Sequence, residues 1–424
     1  MDRRSFVATL SGTPFALTAN AIPVVREANR DIIGQLCDEI AGDESYWRRI
    51  RQAFALDVNH INLNSGSVSP APRVVADAMS RYWTLTNMSP SYYVDELLYP
   101  EVEVIRRRLA AIADCSAEEI ALTRNTSESL QTVQFGLTLR RGDEIVSTTQ
   151  DYPRMINAWQ QRARRDGVVL KLVQFPTPPP SMSSLYDQIF SAVTSRTKVL
   201  LICHMTYTTG QIFPVRQICE EARRRGIITL VDGGHTFAQF PFSVSLLGCD
   251  VYASSLHKWL CAPVGNGLLY VRKSMIPQIW PLLAAPQSLD NDIRKFEAIG
   301  TYPLALRAAV GDSLDFHAEI GAERKAARLG YLRERWMRGV EQIPGVTLRT
   351  SFDPTHACAI GAMSLAAYSA QQLTDELHRR WRIHVRPRFV EGEFDCIRIT
   401  PNVFSTTDEI DLFVEAIRTL AGAR

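Results

Sequence analysis

Two residues, each at the end of a strand-like apolar run, carry the chemistry that this chain announces first. Lys258 closes the run Asp250-Val-Tyr-Ala-Ser-Ser-Leu-His-Lys258, and Asp232 opens an Asp-Gly-Gly-His segment (232–235) upstream of it. A lysine amine can hold an aldehyde cofactor as a Schiff base, and a carboxylate can keep a pyridine nitrogen protonated so that the ring accepts electrons. The pair therefore points to pyridoxal phosphate (PLP), with Lys258 as anchor and Asp232 as ring partner. Alone, either motif has a plainer reading, Ser-x-His-Lys as a solvated loop and Asp-Gly-Gly as a turn. Their order, and the buried-strand character of Ile227–Val231 and Val251–Ser254, favour the chemical reading.

A phosphate needs its own seat. Arg124-Asn-Thr-Ser-Glu-Ser129 lies where a strand-like run passes into a helix pattern with apolar residues at Leu130, Val133 and Leu137. Free backbone N–H groups at a helix N-terminus favour an anion, which makes Thr126 and Ser127 candidate phosphate ligands. Read by itself, the segment fits equally well with Thr126 or Ser127 as a simple N-cap.

The elements that must position these residues are legible in the pattern. Between residues 118 and 272, β-rich runs at 119–123, 143–147, 168–173, 198–203, 227–231, 250–253 and 267–271 alternate with amphipathic segments. Seven such runs predict an α/β domain around a mostly parallel sheet covered on both faces, with ligands outside the carboxyl ends of its strands. Pro176–Ser181 reads as a surface loop. A long helical stretch over 303–342 then leads to strands near 346–349, 362–365, 384–386 and 397–400 and helices near 370–381 and 407–421, the last opened by a capping box, Thr406-x-x-Glu409. The expected division is a signal segment over 1–21, a helical segment over 22–60, a large α/β domain over 61–300, and a connecting helix with a small α+β domain over 301–424.

Composition narrows the function classes. The chain has 424 residues, 46% hydrophobic, with 47 basic and 45 acidic residues and a formal charge of +2. That balance gives no drive toward nucleic acid or a membrane surface. Its 8 cysteines are scattered without metal-ligand spacing, so no metal site is expected. The N-terminus reads differently: Asp2-Arg3-Arg4-Ser5-Phe6-Val7, a weakly apolar stretch and Ala19-Asn20-Ala21 predict a cleaved twin-arginine export signal and a periplasmic enzyme, with a cytoplasmic location as the alternative. No membrane span is expected, because the apolar stretch is too short and polar.

Taken together, Asn62–Pro70, Asn125-Thr-Ser127, His204–Gly210 with Pro214, Asp232–His235, Ser255–Lys258, Phe296–Thr301 and Arg398–Thr406 resemble the class V aminotransferase family of fold-type I PLP enzymes. That family includes isopenicillin N epimerases, cysteine desulfurases and kynureninases, and the resemblance runs from about Ile61 to Ile417. It implies that Lys258 forms the Schiff base and moves the Cα proton, and that Asp232 pairs with the pyridine nitrogen. By the same resemblance His235 reaches the ring hydroxyl, and Ser255 and His257 join Thr126 and Ser127 around the phosphate. Thr301 would serve the neighbouring subunit of a homodimer. Tyr152 would stack on the ring, with Asp151 as the register alternative, and Arg398 would hold the substrate carboxylate.

Desulfurases carry a nucleophilic cysteine on a loop before the arginine strand. The equivalent stretch, Arg386–Gly392, has none, and Cys396 is expected on the face of the strand that carries Arg398. Desulfurase chemistry is therefore not expected. The expected activity is at the α-amino group or Cα of an amino acid or amino-acid-containing metabolite, of aminotransferase or epimerase type, with a β-elimination or C–S lyase as alternative. A protein of this fold that binds a ligand without turnover is the reading from another class. With the export signal, the chain also resembles the periplasmic PLP enzymes that tailor the siderophore pyoverdine.

Overall fold

The computed structural model describes residues 21–422. The expected signal segment, with Arg3 and Arg4, lies outside the described residues except for Ala21, which begins the first helix, Ala21–Arg30.

Among the described residues, thirteen strands follow in chain order. They are β1 (Ile61–Asn62), β2 (Ile120–Thr123), β3 (Glu144–Thr148), β4 (Val169–Val173), β5 (Thr197–Cys203), β6 (Ile228–Asp232) and β7 (Val251–Ser255). The rest are β8 (Gly267–Val271), β9 (Val346–Leu348), β10 (Gly361–Leu365), β11 (Ile383–His384), β12 (Arg386–Val390) and β13 (Phe394–Ile399). Seven of them form one sheet in the order β2-β8-β7-β6-β5-β3-β4. All its neighbours are parallel except β8, which runs against both β2 and β7. This is the mostly parallel sheet that the seven runs predict.

Alternation along the central strands explains the layers. In β5, Leu200 and Ile202 enter one apolar cluster while Val199 and Leu201 enter another on the opposite face. Tyr252 and Val231 side with the first, and Val251, Ala253 and Leu230 with the second. A sheet buried on both faces needs such continuous apolar runs. Helices Tyr99–Ala113 and Val215–Arg224 cover one face, while Thr126–Gly136 and Pro153–Asp166 cover the other. Only β4, at the edge, shows no fully buried residue.

The C-terminal part builds a four-stranded antiparallel sheet in the order β12-β13-β10-β9. Met363, Leu365, Ile397 and Ile399 pack there against helices Ala322–Val340, Ala370–Trp381 and Thr407–Gly422. The expected capping box is present: Thr406 N–H donates to Glu409 Oε2 at 3.0 Å, and Glu409 N–H to Thr406 Oγ1 at 3.2 Å.

Three expectations need correction. The single helical stretch over 303–342 is three helices, Leu304–Ala308, Val310–Ile320 and Ala322–Val340, interrupted at Ala309 and Gly321. Gly321 adopts φ +86°, a conformation that ends a right-handed helix and that glycine adopts without steric penalty. The stretch Arg386–Gly392, set as the equivalent of the desulfurase loop, is strand β12 and its hairpin turn. The strand near 384–386 is the junction of β11 and β12, and β11 pairs in parallel with β1. That pairing continues through Asn64 opposite Thr400, so the segment after Ile61 lies against the C-terminal strands.

Candidate active site

Parallel strands put their carboxyl ends abreast, and this sheet does so where the predicted residues fall. Cys203 of β5 stands opposite Asp232 of β6, which stands opposite Ala253 of β7, two residues before Ser255. Because β8 is reversed, its first residue Gly267 reaches the same edge between Thr123 and Ser255. A side chain at Gly267 would collide with the Asn125 backbone, its Cβ only 2.7 Å from the Asn125 nitrogen. This close approach fixes the turn into helix Thr126–Gly136.

The edge bounds a cavity of about 670 Å³ whose lining includes Thr126, Ser127, Tyr152, Asp232, His235, Ser255, His257 and Lys258. Eight of the predicted site residues thus share one wall system. Gly234 marks their convergence: a Cβ there would lie 2.9 Å from Asp232 Oδ1, 3.1 Å from Thr126 Oγ1 and 3.4 Å from Lys258 Nζ.

Lys258 Nζ sits 3.2 Å from His235 Nε2. Burial lowers the ammonium to about 8, with the Asp232 charge opposing that shift, so the amine is within reach of its neutral, nucleophilic form. Asp232 ends β6 and accepts the Gly234 N–H at 2.9 Å; burial raises its carboxyl, and Lys258 holds it down. Burial first, then the Lys258 charge, depresses both His235 and His257, the latter to about 4, so both rings are neutral and each keeps a hydrogen-bonding nitrogen.

The residue after the lysine explains why Lys258 is held. Trp259 is fully buried in an apolar cluster with Trp47 and Ile50 of helix Glu44–Gln52, Ile360 and Phe404. Its carbonyl accepts from the buried Lys325. One peptide unit therefore separates a side chain in the cavity from one locked in the core.

At the phosphate end, the N-cap is Asn125, whose Oδ1 accepts the Glu128 N–H at 2.9 Å. The simple N-cap reading of Thr126 or Ser127 is thereby replaced. Thr126 N–H donates to Ser255 Oγ at 3.0 Å, and the two hydroxyls lie 2.7 Å apart. This helix N-terminus opens into the cavity with Ser127 and His257 beside it, a donor set suited to a phosphate dianion.

Of the two registers at 151–152, Tyr152 lines the cavity, its ring 5.4 Å from that of Tyr207. Asp151 turns inward. It accepts from Thr148 N–H at 2.9 Å, Thr148 Oγ1 at 2.6 Å and Cys203 Sγ at 3.1 Å, and burial raises it to about 6.

Two predicted residues lie off the cavity wall. Arg398 is 1% exposed behind Ser67 and Tyr207, donating to Tyr207 O, Asn64 Oδ1 and Ser67 Oγ, each at 2.9 Å. Thr301 is exposed, while its neighbour Tyr302 donates to Gly265 O at 2.6 Å on the cavity rim. Cys396 lies on the Arg398 face of β13, as expected, and is 1% exposed.

Sequence reasoning missed Cys203, Ser67 and Tyr207 as lining residues. Ser67 and Tyr207 stand inside motifs it had singled out, but a motif does not say which side chain points inward. Cys203, the last residue of β5, was available from the rule that ligands sit at carboxyl ends.

The residues present fit PLP. Lys258 and Asp232 stand on one wall, a helix N-terminus opens on the same cavity, and His235 Nδ1, His257 Nδ1 and Arg398 Nε are buried without a partner among the described residues. Buried polar atoms of this kind are ordinarily satisfied, and a bound cofactor and substrate would supply partners here.

Comparison with known proteins gives the same answer independently. Residues 61–394 match the family model described as Aminotransferase class-V. The chain is 29% identical to isopenicillin N epimerase of Streptomyces clavuligerus, covering 89% of this chain and 98% of that one. It is 26% identical to a probable cysteine desulfurase of Synechocystis, over 87% and 94%. Among solved structures, the apo cysteine desulfurase of Thermococcus onnurineus superposes with a TM-score of 0.77 at 22% identity, over 88% and 98%. A cystine C–S lyase in complex with cysteine persulfide does so with 0.76 at 20%, over 85% and 98%. These last two likenesses speak for the fold.

Proposed function

We propose a function that starts from one premise: the chain belongs to the class V aminotransferase family of PLP-dependent enzymes. The proposed activity is at the α-amino group and Cα of an amino acid, or of an amino-acid end of a larger metabolite, of epimerase or aminotransferase type. The observation that carries it is the convergence of Lys258, Asp232 and Thr126 around Gly234.

Bound PLP supplies an electron sink for the pair left at Cα when its proton departs. Asp232 holds the proton on the ring nitrogen that makes this possible. Thr126, Ser127, Ser255 and His257 seat the phosphate, and neutral His235 orients Lys258 and the ring hydroxyl. The Lys258 amine, lowered to about 8 by burial, would be the base that takes the Cα proton and returns it. Arg398 and Ser67 would draw the substrate carboxylate toward the small domain, while Tyr152 covers the ring and excludes water.

The hairpin β12–β13 supports this over a desulfurase reading. Its turn contains no cysteine, and burial raises the Cys396 thiol to about 12, so it is no nucleophile at neutral pH. The deciding assay is turnover with an amino-acid and peptide panel, following loss of the cofactor absorption band, α-proton exchange in deuterated water and keto-acid release. Exchange without keto acid means epimerisation, keto acid with conversion of the cofactor to its amine form means transamination, keto acid with release of ammonia means β-elimination, and absence of all three leaves the ligand-binding reading.

The N-terminal motif supports a further part of the proposal, export of the folded holoenzyme and a role in siderophore tailoring. Replacing Arg3 and Arg4 by lysine should retain folded, loaded protein in the cytoplasm; an intact Met1 terminus in wild-type cytoplasm would end this reading. A homodimer in which Thr301 completes the partner's phosphate site is the proposed assembly, tested by solution mass and by PLP affinity of Thr301→Ala.

A further inference from the structure

The arginine ribbon of the small sheet holds more positive charge than one carboxylate requires. Strands β12 and β13 pair with Arg386 opposite Arg398 and Arg388 opposite Cys396, so all three arginines share one ribbon face. Like charges directly opposite each other destabilise a sheet. The usual remedy is an interleaved acid, and none serves Arg388 or Arg398: the groups that act on their charge are arginines, tyrosines and Cys396. Glu393, in the hairpin turn, accepts Gln150 Nε2 through Oε2 at 3.2 Å, its Oε1 has no partner among the described residues, and it is not among the groups that act on either arginine.

Arg388 is placed to act from this face. Its guanidinium lies over the ring of Tyr207 at 5.1 Å, and that ring lines the cavity. Tyr207 is thus gripped twice, its ring by Arg388 and its carbonyl by Arg398. The one hydrogen bond that Arg388 makes to described residues runs from Nη1 to the carbonyl of its own neighbour Pro387 at 3.1 Å, and its Nε is buried without a partner. Burial lowers this guanidinium to about 10, the mark of a cation held in a poorly solvated place without a counter-charge. A half-buried cation with no acid beside it is costly, and an anion arriving next to it would relieve that cost.

We propose that Arg388 is a second anion-binding residue, and that the natural substrate carries, besides the α-carboxylate directed to Arg398, a distal acidic group that Arg388 pairs beside Tyr207. The substrate class is then a dicarboxylic amino acid or an amino-acid end bearing a second acid. This deepens the proposed function and rests on its assignment of Arg398 to the α-carboxylate.

The test compares probes with and without a distal acidic group, on purified holoenzyme. Binding of L-glutamate against L-glutamine, and of glutarate against butyrate, is measured by calorimetry and by the cofactor absorption shift, in wild type, Arg388→Met and Arg388→Lys. The expected result is a preference of wild type for each diacid of about ten- to a hundredfold, as for a charge-assisted hydrogen bond. Arg388→Met should abolish the preference while leaving L-glutamine and butyrate unchanged, and Arg388→Lys should keep part of it. Absence of a diacid preference in wild type, or equal loss for both members of a pair in Arg388→Met, overturns the inference. If Arg388→Met fails to fold, judged by circular dichroism, Arg388→Lys and the wild-type preference carry the decision. Failure of the Cα reading has a different signature: the diacids bind with the predicted preference, yet no amino acid exchanges its α-proton.

Discussion

The two ends of the candidate site are built on opposite principles. At the cofactor end, backbone and short side chains from β2, β5, β6 and β7 are already interlocked: Asn125 caps the phosphate helix, Ser255 holds Thr126, and Gly234 N–H holds Asp232. At the substrate end, long cationic side chains stand on a two-stranded ribbon with buried nitrogens unpaired. The first arrangement is rigid and tuned for one permanent occupant. The second gathers arginines on which no acid among the described residues acts. Substitutions at the two ends should therefore differ in kind, chemistry and loading at the first, binding at the second.

The largest effect should come from Lys258→Ala, which removes both the covalent anchor and the proton-transfer base. We expect activity to fall by roughly 10³- to 10⁴-fold with Cα-proton exchange abolished, measured by exchange in deuterated water. Borohydride-trappable cofactor at normal yield in this variant would break the assignment. Asp232→Asn keeps the shape and removes the charge. Cofactor should remain bound while kcat falls by about 10- to 10³-fold, since a neighbouring carboxylate shifts a titrating nitrogen by one to three units. Unchanged exchange would move the electron-sink role elsewhere.

At the opposite end, Arg398→Lys should raise KM about 10- to 100-fold with a smaller change in kcat, because a point charge replaces a bidentate fork. If kcat falls as far as KM rises, the two ends are not separable and the contrast fails. The smallest effect concerns pH. Lys258 in the apo form is depressed from the ordinary lysine range to about 8, so its neutral fraction grows as pH rises through 8 and falls away below it. The rate of PLP capture by apoprotein should therefore climb between about pH 7 and 9 with a midpoint near 8. A midpoint above 10 would mean that burial does not tune this amine.

The same contrast explains what was readable in the sequence. The cofactor end was legible almost whole, because each of its residues follows a strand whose apolar run is itself a strong signal, and sheet topology then brings the ends together. Asp232 and Lys258 follow from such runs, Ser255 and His257 only from the family resemblance, and the strand runs around them lie within a residue or two of the observed strands. The substrate end was not. Arg386-Pro-Arg-Phe-Val is short, proline-bearing and half-exposed, so β12 gave no alternating signal and was set as the equivalent of the desulfurase loop. Arg388 was passed over for the same reason: its significance lies in what is missing around it, and the absence of a partner across a β-ribbon cannot be read from spacing. The break at Gly321 was similarly hidden, since apolar periodicity on both sides of it reads as one helix.

Where the pieces of the site lie along the chain has a bearing on biogenesis. Ser69 N–H donates to the carbonyl of His257 at 3.0 Å, Asn402 Nδ2 donates to Ser69 Oγ at 2.9 Å, and Ser65 N–H to Thr400 O at 3.1 Å. These three bonds stitch the first quarter of the chain to its middle and to its last thirty residues or so. During synthesis, the phosphate helix and the central strands emerge long before Asn402, and such distant pairings form slowly because a long loop must close first. Closure of the lysine loop is thus a terminal event of folding. A polypeptide that holds the cofactor firmly has, by that fact, certified that the segments around Ser69 and Asn402 have docked.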